Sequence, residues 1–134
     1  MDAATARRRL GDALVARLAT AGIKPHIVPI CFALDGETMY LAVDHKPKRT
    51  TDLQRLRNIA ANPSVAVLVD HYEDDWTRLW WVRVDGTARI LGAGDESERA
   101  LTFLAARYPQ YQEQHPDGPV VAIRIDRLTG WSAS

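Results

Sequence analysis

Asp35-Gly36 lies between two apolar runs, and no other feature restricts the fold of this chain as tightly. An Asp-Gly pair supplies the backbone conformations of a two-residue hairpin turn, so the flanking runs pair as antiparallel strands. The first run, HIVPICFAL, follows Pro25 and is nearly continuous in apolar residues; the second covers residues 38–43. Pro29 falls inside the first run. Proline cannot donate to a ladder, so this strand lies at an edge, carries a bulge or faces a ligand. Asp85-Gly86 gives a second turn or bulge signal, between runs at 78–84 and 87–91.

Shorter apolar runs at 16–21, 65–69 and 120–125 read as further strands, and Gly130-Trp131-Ser132 follows the last. Three stretches carry helical periodicity instead. In 3–16, Leu10, Leu14 and Leu18 recur at spacing four, Thr5 is the candidate N-cap, and Arg7, Arg8 and Arg9 form a solvated face. In 49–61 the stripe is Leu53, Leu56 and Ile59, with Asn62-Pro63 as the stop. In 96–108 it is Leu101, Phe103, Leu104 and Ala105. Loops are expected at 71–76 and 109–118. Six or seven short strands opened by hairpins, with too few helices for a doubly wound sheet, predict a mainly β fold: one antiparallel barrel with flanking helices. The 134 residues suit a single domain over 1–134.

The 17 basic and 17 acidic residues cancel, so overall charge favours neither nucleic acid nor an anionic membrane. Local charge is a different matter. Lys46, Lys48 and Arg49 sit where the 38–43 strand gives way to a helix. A helix start presents unpaired N–H groups and partial positive charge, and three added cations make a phosphate-binding corner. The alternative reading is a solvated loop. Three charge-assisted contacts of roughly 1.5–3 kcal/mol each would account for most of the roughly 8 kcal/mol of micromolar binding.

Conventional catalytic motifs are missing. There is no G-x-S-x-G, C-x-x-C, H-E-x-x-H or P-loop pattern, and His26, His45, His71 and His115 are scattered without metal spacing. Neither catalytic residues nor metal ligands are assigned. Cys31 is expected to be a small buried hydrophobe, and a lone cysteine forms no internal disulfide, which suits a reducing compartment. The basic N-terminus lacks an apolar signal core, and no apolar run approaches the roughly 18 residues that span a bilayer. A cytoplasmic protein is the expectation. Trp80 and Trp81 are adjacent in a strand and so face opposite sides. One fills the interior; the outward indole fits a partner subunit or a planar ligand better than water. Binding of single-stranded nucleic acid by the tryptophans and the basic corner is the weaker alternative, given the neutral charge.

The segments ARLATA, KPHIVPICFALDGETMYLAVDHKPKR, RLRNIAANPSVAVLVDHYEDDW and RLWWVRVDGTARI, with RYPQY and GWSAS, resemble the pyridoxamine 5'-phosphate oxidase-like flavin/deazaflavin family. The match is nearest its actinobacterial branch of F-420-dependent oxidoreductases. The resemblance implies a six-stranded split β-barrel and a homodimer with two cofactor sites between protomers. It implies F-420 or FMN as cofactor and hydride transfer to or from a small organic substrate. By position, His26, Val28, Pro29 and Ile30 would lie against the ring system. Val43, Asp44 and His45 would flank the ring or its ribityl chain. Lys46, Lys48, Arg49 and Thr51 would hold phosphate, and Arg55 a charged tail. Trp80 or Trp81, with Trp131, would close the pocket from the second protomer. A non-catalytic flavin or deazaflavin carrier on the same scaffold is the alternative.

Overall fold

The structure is a computed structural model that describes residues 1–43, 51–116 and 118–134, without the side chains of 51–53. The predicted Lys46, Lys48 and Arg49 corner, with Asp44 and His45, lies outside the described residues.

Seven strands form one antiparallel sheet: β1 Ala16–Ala21, β2 Pro25–Ile30, β3 Ala33–Asp35, β4 Thr38–Ala42, β5 Ser64–His71, β6 Trp80–Leu91 and β7 Val120–Ser132. Their spatial order is β2-β1-β5-β6-β7-β4-β3. Among the described residues four α-helices flank the sheet: α1 Ala3–Asp12, α2 Thr51–Ala61, α3 Asp95–Arg107 and α4 Pro109–Glu113. The residues predicted six or seven strands and the resemblance a six-stranded barrel; the strand divisions differ at 78–91, where Trp80–Leu91 is the single strand β6, and at HIVPICFAL. That run is two strands, because Cys31 and Phe32 carry the chain from one edge of the sheet to the other. Three Cα–Cα steps reach at most about 11 Å. A flat sheet of this width would hold its edges about 29 Å apart. The sheet is therefore rolled until β2 and β3 approach, yet no ladder joins them. Pro29, on the edge strand β2, has no N–H to offer such a ladder.

The crossing is pinned from α3. Arg107 Nη1 donates to the Phe32 carbonyl at 2.8 Å, and Nη2 donates to the carbonyl of Ala13. Tyr108 Oη accepts from the Phe32 N–H at 3.1 Å. The same hydroxyl lies 2.9 Å from the Leu14 carbonyl and 3.0 Å from that of Phe32, and donates to one at a time. Phe32 is fully buried. Cys31, expected inside, is exposed: it continues the outward series of Ile27 and Pro29, while Phe32 follows Ile30 inward.

Side chains inside the roll form the main core, including Leu10, Leu18, Phe32, Met39, Leu41, Val67, Val84 and Ile123. Outside, the cover is unequal. On β4 and the start of β7, Tyr40, Ala42, Val120 and Ala122 pack beneath Ala100 and Leu104 of α3. These segments are buried on both faces and read as continuous apolar runs. β1 and β5 alternate buried and open positions, since none of the described helices covers their outer face. The two-residue hairpin loop is Gly36–Glu37, one residue later than the sequence placed it: Asp35 pairs with Thr38, and Gly36 takes φ +59 at the first loop position. At Gly86 the β6–β7 register shifts, leaving Asp126 as the extra residue on β7. A Cβ at Gly86 would come within 2.7 Å of the Arg124 carbonyl, so this position has no room for a side chain. α1 ends at Asp12 rather than 16, and its cap is Asp2, which accepts from the Thr5 N–H at 2.8 Å.

α3 is held to the sheet by Glu96. Its carboxylate accepts from Arg89 Nη1 at 3.1 Å and Nη2 at 2.9 Å, and from the Tyr40 hydroxyl at 2.8 Å. The Arg89 bonds, then the Tyr40 bond, hold its carboxyl down at about 2 from the ordinary 4.5. A lowered folded-state pKa adds stability above the unfolded value, which is lost as pH falls through the folded one. Glu96→Gln is expected to flatten the decline of the urea midpoint between pH 4.5 and 2; a decline parallel to wild type would remove this role. Among the described residues no helix is long and apolar enough to cross a membrane.

Candidate functional site

Two adjoining surfaces gather the polar and aromatic residues of interest. The first is a cavity of about 600 Å³ between the β1–β2 turn and α2, lined by Gly22, Lys24, His26, Gln54, Arg57 and Asn58 among others. A chain of hydrogen bonds fixes its floor. Gln54 Nε2 donates to Asn58 Oδ1 at 2.9 Å, and Asn58 Nδ2 donates to Thr20 Oγ1 at 3.0 Å. Asn58 and Thr20 are both buried, so losing either partner would leave a buried polar group unsatisfied. Gly22 gives α2 its close approach: a Cβ there would collide with the Asn58 side chain. His26 pairs with Thr20 across the β1–β2 ladder. Its Nδ1 is buried without a hydrogen-bond partner among the described residues. Lys24 and Arg57 bring positive charge to the mouth, so the cavity suits an anionic group with one polar atom for His26.

The second surface is the uncovered outer face. A shallow groove of about 470 Å³ runs over Arg17, Ala19, Ile27, Leu68, Trp81 and Arg83. Cross-strand register lays these out in rows: Pro29, Arg17, Leu68, Arg83 and Thr129 in one, and Asp70, Trp81 and Trp131 in another. Ile27 is 66% exposed, Trp131 45% and Leu68 36%. The Arg83 guanidinium lies 5.9 Å from the Trp81 ring centre. A flat apolar and aromatic face edged by arginines suits a planar ring system or a second protein surface. β2, at its margin, has a ladder partner on one side only.

The residues singled out from sequence fall in several places. His26 lines the cavity, and Val28 and Ile30 follow it on the inward side of β2, with Pro29 outward. Thr51 opens α2, and Arg55 is half-buried on it. Val43 is buried, and its N–H donates to the Pro119 carbonyl at 3.0 Å. Trp131 stands opposite Trp81 on the outer face. Trp80 is turned inward against the core. Lys24, Gln54 and Asn58 were not singled out. The available signal was Asn58, a polar residue between Leu56 and Ile59 on the apolar stripe of α2. Arg17 and Arg83 sit at outward positions of alternating strands and were visible as such. Among the described residues no group of three or more His, Cys, Asp or Glu is placed to hold a metal ion.

Fold and site together define a class: a rolled, helix-flanked antiparallel sheet with a cationic cavity beside an uncovered aromatic face. Residues 3–132 match the family described as pyridoxamine 5'-phosphate oxidase, and the chain belongs to that family. A conserved hypothetical protein from Mycobacterium tuberculosis superposes with a TM-score of 0.80 at 20% identity, covering 99% of this chain and 86% of that one. A FAD-binding protein from Mesorhizobium loti gives 0.76 at 20% identity, with 97% and 94% covered. The heme storage protein HutZ from Vibrio cholerae gives 0.73 at 14% identity, with 97% and 93% covered. No curated protein matches the sequence.

Proposed function

We propose that the protein is a cytoplasmic oxidoreductase that binds the deazaflavin coenzyme F-420, with FMN as the alternative, in a rolled sheet of the split-barrel type. The observation that carries this reading is the cationic cavity at the start of β2, with a buried unpartnered His26 nitrogen beside the open aromatic face. The residues fit such a cofactor. Lys24 and Arg57 receive its phosphate-bearing end, joined by Lys46, Lys48, Arg49 and Thr51, with Arg55 toward a longer anionic tail. The one-sided edge of β2, from His26 to Ile30, offers backbone groups to a heterocycle, and Val43, Asp44 and His45 flank it. When bound, the cofactor supplies the hydride chemistry. The chain's own residues hold it, orient a small organic substrate against it and exclude water.

The outer face is completed by a second copy of the chain. Ile27, Leu68 and Trp131 are too exposed for an unpartnered surface, and Trp81 with Trp131 closes the site from the partner. The likeness to a FAD-binding protein supports the flavin class. The cationic run through Arg55 and Arg57 favours the deazaflavin and its charged tail.

Fluorescence titration with F-420 and with FMN, separately, tests the proposal. Binding near the micromolar range is expected for F-420, and Arg57→Ala should weaken it by about 10- to 100-fold, the worth of one charge-assisted bond. If neither compound binds, the oxidoreductase assignment is lost. If F-420 binds but no acceptor among quinones, enones and tetrapyrroles turns over, the protein is a carrier.

A further inference from the structure

At the opposite side of β6 from Trp81, a polar cavity of about 220 Å³ opens beneath the N-terminal helix. Arg9 of α1, His71 at the end of β5, Glu73 and Arg78 from the following connection, Trp80 of β6 and Ser132 of β7 line it. None of these six residues lines the cavity at α2 or the groove on the outer face.

The charges in this cavity are unevenly matched. Glu73 is fully engaged: Oε2 lies 2.5 Å from His71 Nε2, and Oε1 accepts from Arg78 Nε at 3.2 Å. Arg9 has no carboxylate partner among the described residues. Its guanidinium stands 4.8 Å from the Trp80 ring centre, and His71 stacks on the same indole at 6.0 Å. Arg9 Nη1 is buried and donates to nothing among the described residues. A buried guanidinium N–H without an acceptor is rare in folded proteins, because its lost hydration is not replaced. The placement of Arg9 is not incidental. Gly130 lets α1 press onto β7, where a Cβ would come within 3.3 Å of the Ala6 Cβ, and this holds Arg9 over Trp80. Ser132 Oγ donates to the Ser134 carbonyl at 3.1 Å, and Ser134 also lines the cavity, so the donors left for an occupant are those of the two guanidinium groups. The Trp80 face is already covered, so the occupant is compact rather than planar.

We infer that the Arg9–Trp80–Ser132 cavity is a second binding site, for a small oxyanion: a carboxylate or a phosphate group accepting from Arg9 Nη1 and Arg78. The two sources are separated by titrating acetate and inorganic phosphate in turn, at fixed ionic strength with chloride as balance. The readout is the indole N–H signal of each tryptophan in 15N-labelled protein. The expected result is a saturable shift of the Trp80 signal by at least one of the anions, with a dissociation constant of about 1 mM or tighter. Arg9→Gln should weaken it about tenfold or more, and Arg99→Gln, on α3, should leave it unchanged. Where Arg9→Gln fails to fold, Arg78→Gln at an exposed position should weaken it severalfold instead. A Trp80 signal that saturates with neither anion overturns the inference. So does saturation that the folded Arg9 variant, or in its place the Arg78 variant, leaves unchanged. Phosphate that shifts Trp81 alone has bound elsewhere and counts against it equally.

Discussion

Phe32→Ala lowers the free energy of unfolding by about 3–5 kcal/mol, as expected for removing a fully buried aromatic ring whose surroundings cannot collapse. The surroundings are unusually fixed here. Phe32 lies on the two-residue bridge between the edges of the rolled sheet, and its N–H and carbonyl are both held by the Arg107–Tyr108 pair. The backbone stays pinned after truncation, so the void persists rather than closing. The variant also removes the ring that the Arg107 guanidinium covers at 5.1 Å. Urea unfolding of the wild type and variant, with equal slopes, measures the difference. A loss below about 1 kcal/mol would mean that the roll relaxes around the gap, and the pinning argument would fail.

Leu68→Asp should convert a dimer into a well-folded monomer. Leu68 is at the centre of the uncovered face, flanked across the ladder by Arg17 and Arg83. In the isolated protomer a carboxylate there is solvated and attracted by two guanidinium groups, so the fold loses little. Against a second copy it must be stripped of water, which raises the dimer dissociation constant by about 100-fold or more. Light scattering with circular dichroism separates the two effects. Cofactor binding should fall with the dimer if the site is shared between copies. A monomeric wild type, or a variant that remains dimeric, would remove the shared site from the proposal.

Much of this architecture can be read from the residues, and the exceptions have physical causes. Residues 16–21 were placed as a strand to the residue, and the hairpin loop at Asp35-Gly36 to within one residue, because both rest on local chemistry. The double-sided burial of β4 is written in its unbroken apolar run. The division of HIVPICFAL was not legible. A chain crossing between sheet edges has the same composition as a chain continuing along one, and only the Arg107–Tyr108 latch, 75 residues or more away, distinguishes them. Cys31, expected inside its apolar run, sits on the outward side with Ile27 and Pro29. The cavity at α2 was half legible: His26 was assigned to the site, and an edge was one of the readings open for Pro29. The Thr20–Asn58 contact that ties α2 to β1 joins residues 38 apart and leaves no periodic trace. The two tryptophans were correctly assigned to opposite faces, but which one looks outward depends on the strand's register, not on its pattern.

The order β7-β4-β3 has a consequence for how the chain is made. The β3–β4 hairpin is complete once residue 42 has been synthesised, but its neighbour in the sheet begins at Val120. Until that stretch leaves the ribosome, the free side of β4 is an unpaired edge with apolar Met39 and Leu41 alongside, the kind of edge that recruits foreign strands. Synthesis at about 5–20 residues per second leaves this window open for several seconds. The nascent chain is therefore exposed to aggregation until its last strand arrives, and folding is committed late rather than domain-first from the N-terminus.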